Sequence, residues 1–260
     1  MEIKFLVETA LLTHGLVSAS NADIHSAFEG VSALFGWVDK GQIIMGTIEE
    51  YLPFRERCDS LIRIDCDLLT KAQKEGLSGA LTASGTMAVC KLMGIPLAVT
   101  CGMGGIGEIK DEKLCPDLPA LAQMEVTLIS TSPKDMLDIK ATLNWLKDNG
   151  VSVSGNNTDM CSGYVFSLAN EHIKPLSITS FTIGKGHNLI LNPITESKRI
   201  CDADILKKAI LKGLEAEQKG EYYHPAVNKE IDRLTDGYST KIQLESLVEN
   251  VRLAHALTDK

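Results

Sequence analysis

Short β-branched or apolar runs alternate with longer segments of helical period along most of the chain. No other feature constrains the fold more, because alternation of these two periods is the mark of an α/β layered architecture. Strands are expected at residues 3–12, 42–46, 60–64, 95–100, 126–130, 151–154, 178–183 and 188–191. Helices are expected at residues 22–35, 48–57, 68–75, 84–93, 118–123, 133–149, 203–218, 225–234 and 242–258. Capping chemistry sharpens some boundaries. Thr47 and Glu50 form the two halves of a capping box. Ser132 and Pro133 read as the N-cap and first residue of a helix that Gly150 closes. The last sixty residues carry no strand pattern, so helices there should close the fold or cover a site mouth. The expectation is one domain over residues 1–260, an α/β/α sandwich with a mixed or mostly parallel central sheet.

Composition narrows the class. An apolar share of 44% and a mean hydropathy of +0.04 suit a packed globular chain rather than a disordered one. A net charge of −8 and a pI near 5.3 disfavour nucleic acid or an acidic membrane as partner. No run approaches the 18 or so apolar residues of a membrane span, and the N-terminus lacks the pattern of a secretory signal, so a cytoplasmic protein is expected. Seven cysteines, with no Cys-x-x-Cys pair, read as reduced and mostly buried thiols.

The segment 95–107, IPLAVTCGMGGIG, runs from an apolar strand into a glycine-dense loop. Glycines allow positive φ and close backbone approach, and successive N–H groups can cradle an anion. Gly102-x-Gly104-x-x-Gly107 formally matches a dinucleotide fingerprint. That reading needs a helix opening at the glycines, whereas here a polar run ending in Pro116 follows, so a sugar or phosphate loop is favoured. Thr82 and Ser84, ahead of an apolar helix, offer either simple capping or donors for an anion.

In that order, the segments VETALLTHG at 7–15, TASGTM at 82–87, GIPLAVTCGMGG at 94–105, Asp117-Leu118, KDMLDI at 134–139, Asn192-Pro193 and IQL at 242–244 carry a resemblance. The chain resembles the pseudouridine-5′-phosphate glycosidase family, also called indigoidine synthase A-like. The resemblance implies a homotrimeric enzyme that reversibly cleaves the C–C glycosidic bond between uracil and ribose 5-phosphate. It implies Lys134 as the lysine that forms a Schiff base, Glu8 as the acid at the base and Asp117 as a carboxylate facing the substrate. It further implies substrate contacts from Arg63, Thr82, Ala83, Cys115, Pro116 and Asn192.

The residues bear on this in their own right. C–C cleavage needs an electron sink, which an iminium supplies. An amine attacks only when neutral, and a helix start at Lys134 would contribute a dipole worth about 0.3–1 kcal/mol, with burial and Arg63 supplying the rest. Taken without the resemblance, Lys134 would read as a solvated lysine, Glu8 as a strand-end residue facing water and His14 as a structural histidine. A carboxylic acid inside an apolar strand can equally be one held protonated for catalysis.

The chain also departs from the family pattern. The family's metal-binding aspartate falls at Lys113 and its serine at Cys115, in a stretch about two residues shorter. A divalent metal such as Mn²⁺ would then depend on Asp111, or Lys113 would replace the metal's charge. Asp65, Cys66 and Asp67 stand where basic residues are expected, which leaves Lys113 or Lys241 to compensate at a phosphate. The reading is an active enzyme on a sugar phosphate or nucleotide. A related C-glycosidase with another base or sugar phosphate, or a non-catalytic sugar-phosphate-binding protein, stands as the alternative.

Overall fold

The computed structural model describes residues 3–109, 113–177 and 181–259. In chain order its strands are β1 (Leu6–Val7), β2 (Phe35–Asp39), β3 (Gln42–Gly46), β4 (Ile62–Ile64), β5 (Gly79–Leu81), β6 (Leu97–Val99) and β7 (Gly102–Met103). They continue as β8 (Thr127–Ser130), β9 (Ser132–Pro133), β10 (Ser152–Gly155), β11 (Met160–Cys161), β12 (Glu171–His172), β13 (Lys174–Pro175) and β14 (Asn188–Leu191). The helices are α1 (Asn21–Ala27), α2 (Ile48–Arg55), α3 (Cys66–Glu75), α4 (Ala83–Met93), α5 (Asp117–Gln123) and α6 (Ile139–Asp148). α7 (Ala203–Gln218), α8 (Tyr223–Leu234) and α9 (Tyr238–Thr258) complete the chain.

Ten strands form one sheet in the order β13-β10-β14-β8-β6-β1-β2-β5-β4, with β3 paired to β2. Pairing is parallel throughout except where β2 meets β3 and β5. Side chains alternate between the two faces as the pleat requires. Val7, Val99 and Ile129 pack into a core with α1, α2 and α7–α9, while Leu6, Ala98 and Leu128 pack into a second core with α3–α6. The expected α/β/α sandwich with a mostly parallel sheet is what forms. Among the described residues no helix is long and apolar enough to cross a membrane, and none of the seven cysteines is in a disulfide bond.

Several expected boundaries move, each for a physical reason. The strand expected over 3–12 is only Leu6–Val7; the chain then winds into a single wide π turn at Leu11–Gly15, a local form frequent at functional sites. The helix expected over 22–35 ends at Ala27, and Phe35–Asp39 is a central strand. Trp37 and Val38 there are buried on opposite faces of the sheet, so the segment has no apolar/polar alternation to reveal it. Gly79–Leu81 is likewise a fully buried strand, in a stretch where none is expected. Part of the strand expected at 178–183 lies outside the described residues.

The most consequential shift concerns 133–149. Ser132–Pro133 pairs in parallel with Gly102–Met103, and the helix starts only at Ile139, where the Asp138 side chain accepts from the Ala141 N–H at 2.8 Å. Lys134 is therefore not in a helical first turn, and the dipole expected to act on it is not there. The Thr47–Glu50 capping box forms as expected, and Gly150 follows α6 with φ of +78°.

Candidate active site

The parallel strands β1, β6 and β8 point their C-terminal ends at one side of the sheet, where ligands of open α/β sheets bind, while β4 and β5 run the opposite way because β5 is antiparallel to β2. Glu8 follows β1 directly and Thr100 follows β6; Arg63 lies within β4. Between this edge and the N-terminal end of α8 is a cavity of about 660 Å³, lined by Arg63, Thr82, Cys115, Pro116, Asp117 and Lys134 among others. A small inner void of about 20 Å³ adjoins it and is lined by Glu8, Arg63, Lys134, His224 and Asn228 among others. Arg63, Lys134, His224 and Pro225 border both spaces. The fold thus brings Glu8, Lys134, Asp117 and Arg63 to one place from four separate stretches of chain.

Glu8 is 7% exposed. Its Oε1 accepts from the Leu11 N–H at 3.1 Å, a bond made available by the π turn, and its Oε2 accepts from the Thr100 hydroxyl. Burial raises the Glu8 pKa above the usual carboxylate range, and Asp117 adds to that, whereas Thr100, Lys134 and Arg63 oppose it. The sequence alternative of a strand-end glutamate facing water does not apply.

Asp117 opens α5 and is 5% exposed. Its two oxygens accept from the Ser84 N–H and the Gly104 N–H, each at 2.8 Å. The glycine-dense loop is thereby explained differently from its sequence reading. None of Gly102, Gly104, Gly105 and Gly107 has positive φ. They are glycines because of close packing: a Cβ on Gly104 would stand 2.0 Å from Cys115 Sγ and 3.1 Å from Asp117 Oδ2. A Cβ on Gly102 would stand 2.7 Å from the Tyr164 ring and 3.1 Å from Lys134 Cγ. The Gly104 N–H serves Asp117 and the Ile106 N–H serves the Thr142 hydroxyl at 2.9 Å, so these donors hold the protein's own side chains. No helix opens at the glycines, which removes the dinucleotide reading.

Lys134 is half-buried, and its backbone N–H donates to Met103 O at 3.1 Å. The next residue locks the segment. Asp135 accepts from the N–H groups of Tyr164, Val165 and Phe166 at 2.7, 2.8 and 3.0 Å. Burial outweighs those bonds and pushes the Asp135 carboxyl up to about 6. His224, on the helix that closes the cavity, is 7% exposed; burial, with Lys134 and Arg63 nearby, drives its pKa well below the usual histidine value, so the ring is neutral at neutral pH. His14 bonds Leu61 O at 3.0 Å through Nε2, in keeping with a structural role.

Other expected residues fall elsewhere. Ala83 is buried in α4 between the cavity-lining Thr82 and Ser84 and does not itself line the cavity. Asn192 lines a separate depression; it accepts from Asn156 Nδ2 at 3.0 Å and donates to Asn250 Oδ1 at 2.9 Å. Asn250 in turn donates to Thr100 O at 2.7 Å, so Asn192 reaches Glu8 only through neighbours. Lys113 and Lys241 are exposed and absent from the cavity lining, while Asp65, Asp67, Glu217 and Glu221 stand at its mouth. Asp111 lies outside the described residues. Among the described residues no group of three or more His, Cys, Asp or Glu side chains could hold a metal ion.

His224 and Asn228 were missed from the sequence. Their signal was present: with Asp232 they place three polar residues at i, i+4 and i+8 on the buried face of α8.

Residues 6–260 match the model of the family described as indigoidine synthase A like protein. Curated relatives named pseudouridine-5′-phosphate glycosidase include one from Caldanaerobacter subterraneus subsp. tengcongensis, 28% identical over 95% of this chain and 88% of that protein. Another, from Thermotoga petrophila, is 27% identical over 98% of this chain and 94% of that protein. Among solved structures, an indigoidine synthase A-like protein from Thermotoga maritima superposes with a TM-score of 0.83 at 23% identity, covering 98% of this chain and 91% of that one. The prealnumycin C-glycosynthase AlnA, solved with ribulose 5-phosphate, superposes with a TM-score of 0.79 at 23% identity over 99% and 91%. With a match spanning nearly its whole length, the chain belongs to the indigoidine synthase A-like family.

Proposed function

We propose that the protein is a C-glycosidase that reversibly cleaves the C–C glycosidic bond of pseudouridine 5′-phosphate, giving uracil and ribose 5-phosphate. The observation that carries this reading is the meeting of a buried, protonatable Glu8 in the inner void and Asp117 in the adjoining cavity, with Lys134 and Arg63 bordering both. The relatives' name and the sugar phosphate held by AlnA point the same way.

The chemistry follows from the placement. Neutral Lys134 Nζ adds to C1 of the sugar as the ring C–O bond breaks, and the proton that the nitrogen sheds ends on the released ring oxygen. The nitrogen lone pair then forms C=N while the electrons of the C–C bond pass to the base carbon, which takes its proton from Glu8. Water hydrolyses the iminium and returns Lys134. Glu8 suits the proton transfer because burial keeps its acid form populated at higher pH than an exposed glutamate. Asp117, with both oxygens held by backbone N–H groups, is a fixed acceptor for sugar hydroxyls. Arg63 is the cavity cation suited to the phosphate.

The four carboxylates at the mouth favour a second reading within the same chemistry, a C-glycosidase for another base or sugar phosphate. Release of free uracil from pseudouridine 5′-phosphate by the wild-type protein, lost in Lys134→Ala, supports the first reading. Wild-type inactivity on that compound combined with turnover of another C-nucleoside phosphate selects the second. Ligand binding without turnover of any such compound contradicts both. A divalent metal acting through Asp111 is part of the proposal only as far as chelation followed by Mn²⁺ restores activity. A cytoplasmic homotrimer completes the reading, and its mass in solution checks the assembly.

A further inference from the structure

We infer that Asn228 reads the edge of the leaving base and so sets which base the enzyme accepts; the inference rests on the proposed C-glycosidase reaction. Lys134 bonds C1 of the sugar and Glu8 protonates the base carbon attached to it, so the base must lie on the Glu8 side of Lys134. On that side Arg63 and His224 line the void together with Ala10, Leu11, Gly15, Gly102 and Pro225, the last five offering a ring apolar surface. Asn228 interrupts them. It is 6% exposed, lines the void beside Glu8 and Lys134, and its carboxamide makes no hydrogen bond among the described residues. An amide that faces the void with its bonds unmade is available to a ligand that completes them.

The group that fits is defined by the amide itself. A carboxamide presents an acceptor oxygen beside a two-proton donor, and rotation about its last bond presents them in either order. That pair complements a –CO–NH– edge, the imide or lactam edge of a pyrimidinedione. The void of about 20 Å³ takes such an edge, with the ring body in the adjoining cavity. Asn228 is held on α8, which packs against the π turn that also bonds Glu8, so acid and reader share one support.

The test compares condensation of ribose 5-phosphate with uracil, N1-methyluracil and N3-methyluracil. The wild-type protein should prefer uracil over at least one methylated base by roughly 10- to 100-fold in kcat/KM, and Asn228→Leu should reduce that preference to within about threefold. Should Asn228→Leu not fold, Asn228→Asp, which keeps the volume and loses the donor, reads the same ratio. Borohydride trapping with ribose 5-phosphate alone needs no base and reports on the reaction itself. A wild-type adduct with no preference among the bases, or with a preference that the variants retain, overturns the role of Asn228 alone. No wild-type adduct overturns the underlying reaction as well.

Discussion

In the proposed reaction Glu8 is the residue on which both chemistry and pH response turn. Replacing it by Gln keeps the shape and removes the proton. We expect turnover to fall by roughly 10²- to 10⁴-fold, while borohydride still traps ribose 5-phosphate on the protein, because forming the iminium from the free sugar does not include protonation of the base carbon. Loss of trapping together with turnover would mean that Glu8 acts on the lysine and not on the base. The sign of the pH effect is fixed by the raised pKa. The competent acid is the protonated form, so kcat/KM for cleavage should fall as pH rises through the raised value. Stability moves the same way: the folded protein binds the Glu8 proton more tightly than the unfolded chain does. That contribution is present at low pH and is lost as pH rises from the ordinary carboxylate range through the folded value. Glu8→Gln should flatten both slopes, and an unchanged alkaline limb in the activity profile would assign the titration elsewhere.

At the scale of elements, the site depends on two tight crossings. Gly104→Ala would drive a methyl into Cys115 and crowd Asp117, at a cost of about 1–3 kcal/mol by overpacking, and should raise KM for the sugar phosphate. A normal melting temperature with a normal KM would show that the loop can yield there. Asp135 joins the Lys134 segment to the stretch at 164–166 through three N–H groups. Asp135→Ala orphans those donors and should destabilise the protein by about 2–4 kcal/mol, read as a lower midpoint in urea. Because its folded pKa is about 6 against an ordinary 3.8, ionising Asp135 is unfavourable in the fold, so wild-type stability should decline between those values relative to Asp135→Asn.

These same elements show where the sequence was readable. Parallel strands buried on both faces, amphipathic helices and side-chain caps have local signatures, and β6, β8, β14 and most helices were legible from them. β2 and β5 were not, because FGWVD and GAL carry glycine and lack the run of β-branched residues that marks a buried strand. Lys134 was mislocated for a related reason: Ser132-Pro133 imitates a helix start, and only pairing with Gly102–Met103, thirty residues away, overrules it. Glu8, Asp117 and Lys134 were identifiable as a set through the resemblance. Asn228 was not, since a lone polar residue on an apolar helix face acquires meaning only when the cavity beside it is known.

Taken as a whole, the molecule uses its sheet to converge distant stretches on one edge and its C-terminal helices to cover them. α8 packs closely with α7 and with the π turn after β1, so the cover and the acid are mechanically linked. The central claim is that this convergence makes Lys134 a nucleophile toward a sugar aldehyde. The most direct measurement is borohydride reduction of the protein with ribose 5-phosphate, followed by peptide mass mapping. The account predicts a covalent sugar phosphate on Lys134 that is absent in Lys134→Ala. An adduct on another lysine, or none on the folded wild-type protein, would contradict it.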